Sequence, residues 1–297
     1  MQFLLLCSIR ITPRIKDFTQ ADFIEIGKEH FHSVILPGLM KISKEAVDAM
    51  MVFIEGSAAY GFCDFFSDVD IDYYISMPLE EDVMNRIRTV FTADTFYHKS
   101  IRVSYGFSGR YWKFDELIKT DTGSFWAESN PYALYNIQHA VPVWDPSSLL
   151  AGFKAKTAFY PSDIYKKHVR GLWLTMCDSG EYNLSESLKR SKTTEGMIYF
   201  GRALEASLRL IYLLNNEYYP PAKWLTSGLQ KLEHNFGISG ILNEIHEAKS
   251  PDENYQCFMK VFGSIKEFLL TEHIIEKECV ENYSSIFQKP FTIFNTF

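Results

Sequence analysis

Residues Val52–Ser76 read VFIEGSAAYGFCDFFSDVDIDYYIS. An apolar β-type run ends at Gly56-Ser57, and a second run carries Asp68, Asp70 and Asp72 alternating with Val69, Ile71 and Tyr73. Side chains on a strand alternate between faces, so the three aspartates share one face while the apolar set turns to a core. Like charges at that spacing repel each other unless a cation lies among them. Mg²⁺ is the cation this chemistry fits: it prefers hard oxygen ligands, keeps several waters and takes one or two carboxylates together with substrate phosphates. Gly56 allows a ligand close to the backbone, Ser57 adds a hydroxyl and an amide, and a helix opening at this turn would aim amides at phosphate.

Outward from this stretch the pattern alternates. Gln20–Ile42 places Phe23, Ile24, Phe31 and Val34 at helical spacing, with a stop expected at Pro37-Gly38. A second helical stretch spans Lys44–Met50; after the aspartates, EEDVMNRIRTVF reads as a helix and SIRVSYGF as a strand. Tyr132–Trp144 reads as a helix passing into a short strand, with a turn at DPSS. Beyond it come long amphipathic runs with apolar residues at i, i+3 and i+4. The expected fold class is therefore α+β. An α/β domain with a mixed sheet occupies residues 1–148, and a helical bundle occupies 149–297.

The 297 residues are 46% apolar and 23% charged with a formal net charge of -7, a globular profile without the basic footprint of a nucleic-acid or membrane-surface binder. Five scattered cysteines (Cys7, Cys63, Cys177, Cys257, Cys279) contain no C-x-x-C pair, which argues against a disulfide framework or zinc site and for a reducing, cytoplasmic setting. The opening MQFLLLCSI lacks the basic start and cleavage site of a signal peptide and reads as a strand or a poorly ordered start. No run is long enough to span a bilayer.

The order Gly56-Ser57, Gly61, Ser67-Asp68-Val69-Asp70 resembles the signature of the nucleotidyltransferase superfamily related to DNA polymerase beta, which includes the aminoglycoside nucleotidyltransferases. HFHSVILPGL, VWDP, FYPSD, LWLTM and YYPPAKWL also look like the landmarks of a bacterial nucleotidyltransferase-like family of unknown function. The resemblance implies transfer of a nucleoside monophosphate, AMP from ATP, to a hydroxyl of a small-molecule or protein acceptor, with release of pyrophosphate. It implies Mg²⁺ and ATP as cofactor and co-substrate, metal ligands among Asp68, Asp70 and Asp72, and nucleotide contacts at Gly56, Ser57, Ser67 and Lys223. Spacing from Gly56-Ser57 favours the pair Asp68 and Asp70, the apolar YYI that follows suits Asp70 and Asp72, and Asp70 belongs to both.

The superfamily adds a third carboxylate on a later strand, and SIRVSYGF contains none. Asp115 or Glu116 in WKFDELI would serve if the strand continues there. Otherwise Asp72 compensates, or the chain is a degenerate nucleotide- or partner-binding module of antitoxin-like type. Arg202 and Arg209, two turns apart on one helix with Glu205 between them, read either as cleft-facing or, the blander reading, as an ion-pair ladder at i, i+3 and i+4. Aromatics in SGRYWKF and GSFWAES could stack on a base or a ring-shaped acceptor.

Overall fold

The computed structural model describes residues 18–64, 66–92, 96–107, 114–118, 125–126 and 130–282. The start MQFLLLCSI with Cys7, and most of SGRYWKF, lie outside them. The chain divides into two compact units, one built from Met1–Asp121 and Asn136–Lys156 and the other from Thr122–Tyr135 and Thr157–Phe297, so far as those residues are described. The first is α+β with a mixed sheet; the second is helical.

Strands β1 (Met50–Glu55), β2 (Val69–Ile75), β3 (Phe96–His98), β4 (Ile101–Phe107) and β5 (Val141–Trp144) form one sheet in the order β3-β4-β2-β1-β5. β1 pairs antiparallel with both β2 and β5, and β3 antiparallel with β4; β2 and β4 run parallel. Opposite residues in register share a face. Phe53 and Glu55 therefore lie on the face of Asp72 and Asp70, and Ser104 and Gly106 join them from β4.

The other face is the core of this unit. α1 (Gln20–His30) lies so close that a Cβ on Gly27 would stand 2.8 Å from Val69 and 2.9 Å from Ile54. Phe91, on the helix Glu81–Thr92, stacks on Tyr73 with ring centroids 3.9 Å apart. The helix does not stop at Pro37. A π turn at Phe31–Ile35 follows α1, and Leu36–Met40 continues helically through Pro37-Gly38. Proline lacks the N–H of an interior helical bond, and the π turn falls just ahead of it, where that bond is missing. The sequence LPGLM thus bends the pattern without ending it.

In the second unit, Ser162–Thr175, Thr193–Leu214 and Pro251–Thr271 are the long helices, joined with a π segment at Met176–Leu184. Trp173 stacks on Phe262 at 4.8 Å, and the glycine at 180 admits Phe258, whose ring would meet an added Cβ at 2.1 Å. Among the described residues no helix is long and apolar enough to cross a membrane.

Candidate functional site

β1 ends at Glu55, and the next residues turn into the short helix Gly56–Tyr60. Gly56 has φ +70°, a left-handed conformation that favours glycine, and a Cβ there would stand 2.6 Å from Asp70 Oδ2. The turn therefore brings backbone against a carboxylate of the neighbouring strand. Gly61 closes this helix at φ +75°, and Gln20 Nε2 donates to its last carbonyls, Ala58 O at 3.0 Å and Ala59 O at 3.2 Å.

A frame of short hydrogen bonds holds the loop into β2. The Ser57 hydroxyl donates to Ser67 Oγ at 3.2 Å, and the Ser67 hydroxyl donates to Asp64 Oδ1 at 3.1 Å. The Asp64 and Phe66 amides donate back to Ser67 Oγ and Asp64 Oδ1, both at 2.9 Å. Gly56, Ser57 and Ser67 thus come together at the mouth of the aspartate strand, and the two serine hydroxyls face each other.

The aspartates do not share one environment. Asp68 precedes the first residue of β2, and its Oδ2 accepts from Arg102 Nε at 2.9 Å and from Arg102 Nη2. Asp70 accepts from the Ser104 hydroxyl at 2.8 Å. Asp72 is buried, 3% exposed, against Gly106, where an added Cβ would stand 2.2 Å from Asp72 Oδ1. Burial, and then the charge of Asp70, push the Asp72 carboxyl up to about 7.

A fourth carboxylate joins them from β1. Glu55 is the register partner of Asp70; its Oε2 accepts from Asn136 Nδ2 at 3.1 Å, and Asn136 Oδ1 accepts from the Tyr60 hydroxyl. Burial, then Asp72, then Asp70 push Glu55 up to about 8. Sequence reading passed over Glu55 because it sits on the other strand, though two signals were present: it directly precedes Gly56-Ser57, and it alternates with Phe53 in VFIEGS.

Asp115 is not on a continued strand. Phe114–Ile118 is a helix, so the condition set for a third carboxylate there fails. Asp115 is exposed and accepts from the Tyr74 hydroxyl at 2.7 Å, which ties it to the residue after Asp72 on the same face of β2. The side chain of Glu116 lies outside what is described.

Both a known family and solved structures match the chain. The family described as a domain of unknown function, DUF4037, matches residues 126–225. That stretch includes VWDP, FYPSD, LWLTM and YYPPAKWL and none of the residues of the carboxylate face. A nucleotidyltransferase-like protein from Exiguobacterium sibiricum 255-15 is similar in structure at 10% identity and a TM-score of 0.42, over 82% of this chain and 76% of that one. A likeness of that strength decides nothing about chemistry. No curated protein matches the chain.

The remaining candidates lie in the second unit. Lys223 sits with its Nζ 5.6 Å from the Trp224 ring centroid, on a short 3-10 turn. Arg209 pairs with Glu205 and lies between the rings of Tyr132 and Tyr219, at 5.5 and 5.2 Å, while Arg202 lies 5.8 Å over Tyr199. The ion-pair reading of Arg209 and Glu205 is the one seen.

Whether this face suits Mg²⁺ depends on its donor chemistry. Among the described residues no group of three or more His, Cys, Asp or Glu side chains is placed to hold a metal by itself. Asp70 and Asp72 nevertheless offer hard oxygens two residues apart on one strand face, and Asp72 and Glu55 are raised first by burial and then by their acidic neighbours. A cation that needs only one or two protein carboxylates and completes its shell with water and phosphate fits such a face.

Proposed function

We propose that the first unit is a Mg²⁺-dependent nucleotidyltransferase that moves a nucleoside monophosphate, AMP from ATP, onto a hydroxyl of a small-molecule or protein acceptor and releases pyrophosphate. The observation that carries this reading is the gathering of Glu55, Asp70 and Asp72 on one sheet face beside the Gly56-Ser57 turn, with Glu55 and Asp72 both resisting ionisation. Phosphoryl transfer asks little covalent chemistry of a protein, and the work is positioning and charge neutralisation.

Asp70 and Asp72 would hold the metal. Bound there, Mg²⁺ supplies charge neutralisation at the phosphate oxygens. The chain's own groups do the rest. Gly56 keeps the backbone low enough for phosphate to approach Asp70, Ser57 and Ser67 present hydroxyls at the mouth, and Ser104 orients the Asp70 carboxylate. Glu55 of β1, ionised once a cation is bound beside it, would accept the proton of the acceptor hydroxyl; Asp115, carried by a helix and not by a later strand, would be the alternative from beside Tyr74.

One observation favours a second reading. β4, the later strand on which the superfamily carries its third carboxylate, has Ser104 and Gly106 opposite Asp70 and Asp72. A chain that has lost that group would bind nucleotide without turning it over. Pyrophosphate release from ATP, with and without Mg²⁺ and across a panel of hydroxyl acceptors, separates the two. The enzyme reading expects Mg²⁺-dependent release that disappears in Asp70→Asn; binding without release in every condition rejects it. Thermal shift supplies the binding arm: Mg²⁺ and ATP together should stabilise by about 2.7 kcal/mol at a hundredfold excess over Kd, and each alone by much less. Equal stabilisation by ATP in chelator would remove the metal from the site.

A further inference from the structure

The strand β4 turns three alternate residues, Arg102, Ser104 and Gly106, toward the aspartates of β2, and none is acidic. Ser104 donates to Asp70, Gly106 leaves the space in which Asp72 is buried, and Arg102 holds Asp68 through two N–H groups on one oxygen. The register explains the alignment: Val69 pairs with Val103, so Asp68 and Arg102 stand next to each other at the entry to the parallel pair. Arg102 is half exposed, with a side-chain accessibility of 54% against 19% for Asp68. It feels Asp70 as well as Asp68.

An exposed ion pair of this kind contributes little to stability, so folding alone gives no reason for a guanidinium at this position. A reason appears on the substrate side. A triphosphate approaching Glu55, Asp70 and Asp72 is a polyanion meeting carboxylates, and it needs fixed positive charge in addition to a metal. With Nε and one Nη2 hydrogen turned to Asp68, the outer N–H groups of the planar guanidinium remain in an orientation set by the protein, and that fork matches phosphate oxygens.

We propose that Arg102 is a polyphosphate contact of the candidate site, and that Asp68 is a positioning residue which aims Arg102 rather than a metal ligand. This rests on the nucleotidyl-transfer reading. In that reaction the acceptor oxygen forms a bond to the α-phosphorus and the bond to the bridging oxygen breaks. Pyrophosphate leaves with that electron pair, and the acceptor proton passes to a carboxylate and then to water. Arg102 would stabilise the charge that grows on the departing pyrophosphate.

The test uses the full chain with Mg²⁺, its Arg102→Gln, Arg102→Lys and Asp68→Asn variants, and calorimetric binding of inorganic tripolyphosphate and of AMP. Circular dichroism checks that each variant folds. Arg102→Gln should weaken tripolyphosphate at least tenfold and raise the KM for ATP by a similar factor, with AMP binding unchanged. Arg102→Lys should recover part of the loss, since it keeps the charge and loses the fork. Asp68→Asn should weaken tripolyphosphate less than Arg102→Gln does and leave Mg²⁺ dependence in place. Tripolyphosphate binding that is absent from the wild type, or is the same in Arg102→Gln, overturns the contact. An Asp68→Asn variant as dead as Asp70→Asn returns Asp68 to the metal and overturns the positioning role. If tripolyphosphate binding depends on Arg102 but no acceptor yields pyrophosphate, the contact stands and the transfer reading falls.

Discussion

The two faces of β2 differ in kind although their residues alternate along a single strand. Val69, Ile71 and Tyr73 point to a packed layer under α1 and the helix Glu81–Thr92, where Tyr73 stacks on Phe91 and no space remains for a side chain at Gly27. Asp70 and Asp72 point to a face where burial opposes the charge of Asp72 and where partners come from β1 and β4. Period-two alternation lets one strand anchor the fold and hold charge, because the apolar side supplies the burial that keeps the acidic side in place. Substitutions on one face should therefore move stability, and on the other activity and pH response.

The largest effect is expected on the packed face. Tyr73 is 2% exposed, and Tyr73→Ala removes a buried ring together with its stack on Phe91, at a cost of about 3–5 kcal/mol by urea unfolding. Any variant that remains folded at low temperature should still bind Mg²⁺ and ATP. A folded Tyr73→Ala protein that has lost ligand binding would show that the faces are not separable.

Next comes Gly56→Ala, at the turn where the acidic face meets the backbone. It meets two obstacles, the positive φ and the 2.6 Å approach to Asp70 Oδ2, and should destabilise by about 1–3 kcal/mol. Because the clash falls on Asp70, loss of Mg²⁺-dependent turnover should exceed what the stability loss explains. Turnover per folded molecule equal to wild type would detach this turn from the chemistry.

How much of this was legible depended on locality. The strand, the turn at Gly56-Ser57 and the alternation of Asp68, Asp70 and Asp72 are written in consecutive residues, and the helices of the second unit in their periodicity. The pairing of β1 with β2 is set by tertiary packing, which is why Glu55 became visible only as the partner of Asp70. The same holds for β4: that it runs parallel beside β2, with Arg102 against Asp68, cannot be read from SIRVSYGF alone. Pro37 misled in the opposite direction, since a local stop signal was overridden by a π turn just upstream.

A smaller effect is expected from pH, measured in chelator. Glu55 and Asp72 have folded carboxyls raised to about 8 and about 7, above their ordinary range near 4. A raised folded value means that the folded state holds protons the unfolded state has released. The stability they contribute is full below about pH 4 and is lost as pH rises through the folded values. The melting temperature should therefore fall between pH 5 and pH 8, and Asp72→Asn should flatten that fall and raise stability at pH 8 by about 1 kcal/mol or more. Mg²⁺ with ATP should flatten it too. A wild-type melting temperature that rises from pH 5 to pH 8 would mean the face carries no surplus of negative charge.

The smallest effect concerns Ser104, a residue that gives the acidic face order rather than charge. Its hydroxyl donates to Asp70 Oδ1 at 2.8 Å across the parallel pair, and Ser104→Ala leaves the backbone, the register and the volume nearly as they are. A hydrogen bond to a partly exposed carboxylate contributes about 1 kcal/mol, and water can replace part of it, so the change in unfolding free energy should not exceed that. The kinetic effect should nevertheless be out of proportion. A carboxylate that ligates metal needs a fixed orientation, and loss of an outer partner to such a ligand typically lowers metal affinity by about 10–100-fold. Ser104→Thr keeps the hydroxyl and should restore much of the Mg²⁺ affinity, which a purely structural role for Ser104 would not require. If Ser104→Ala shifts the Mg²⁺ titration of pyrophosphate release by less than twofold, Asp70 does not depend on β4 for its orientation. The strand beside it would then serve Asp68 and Asp72 alone.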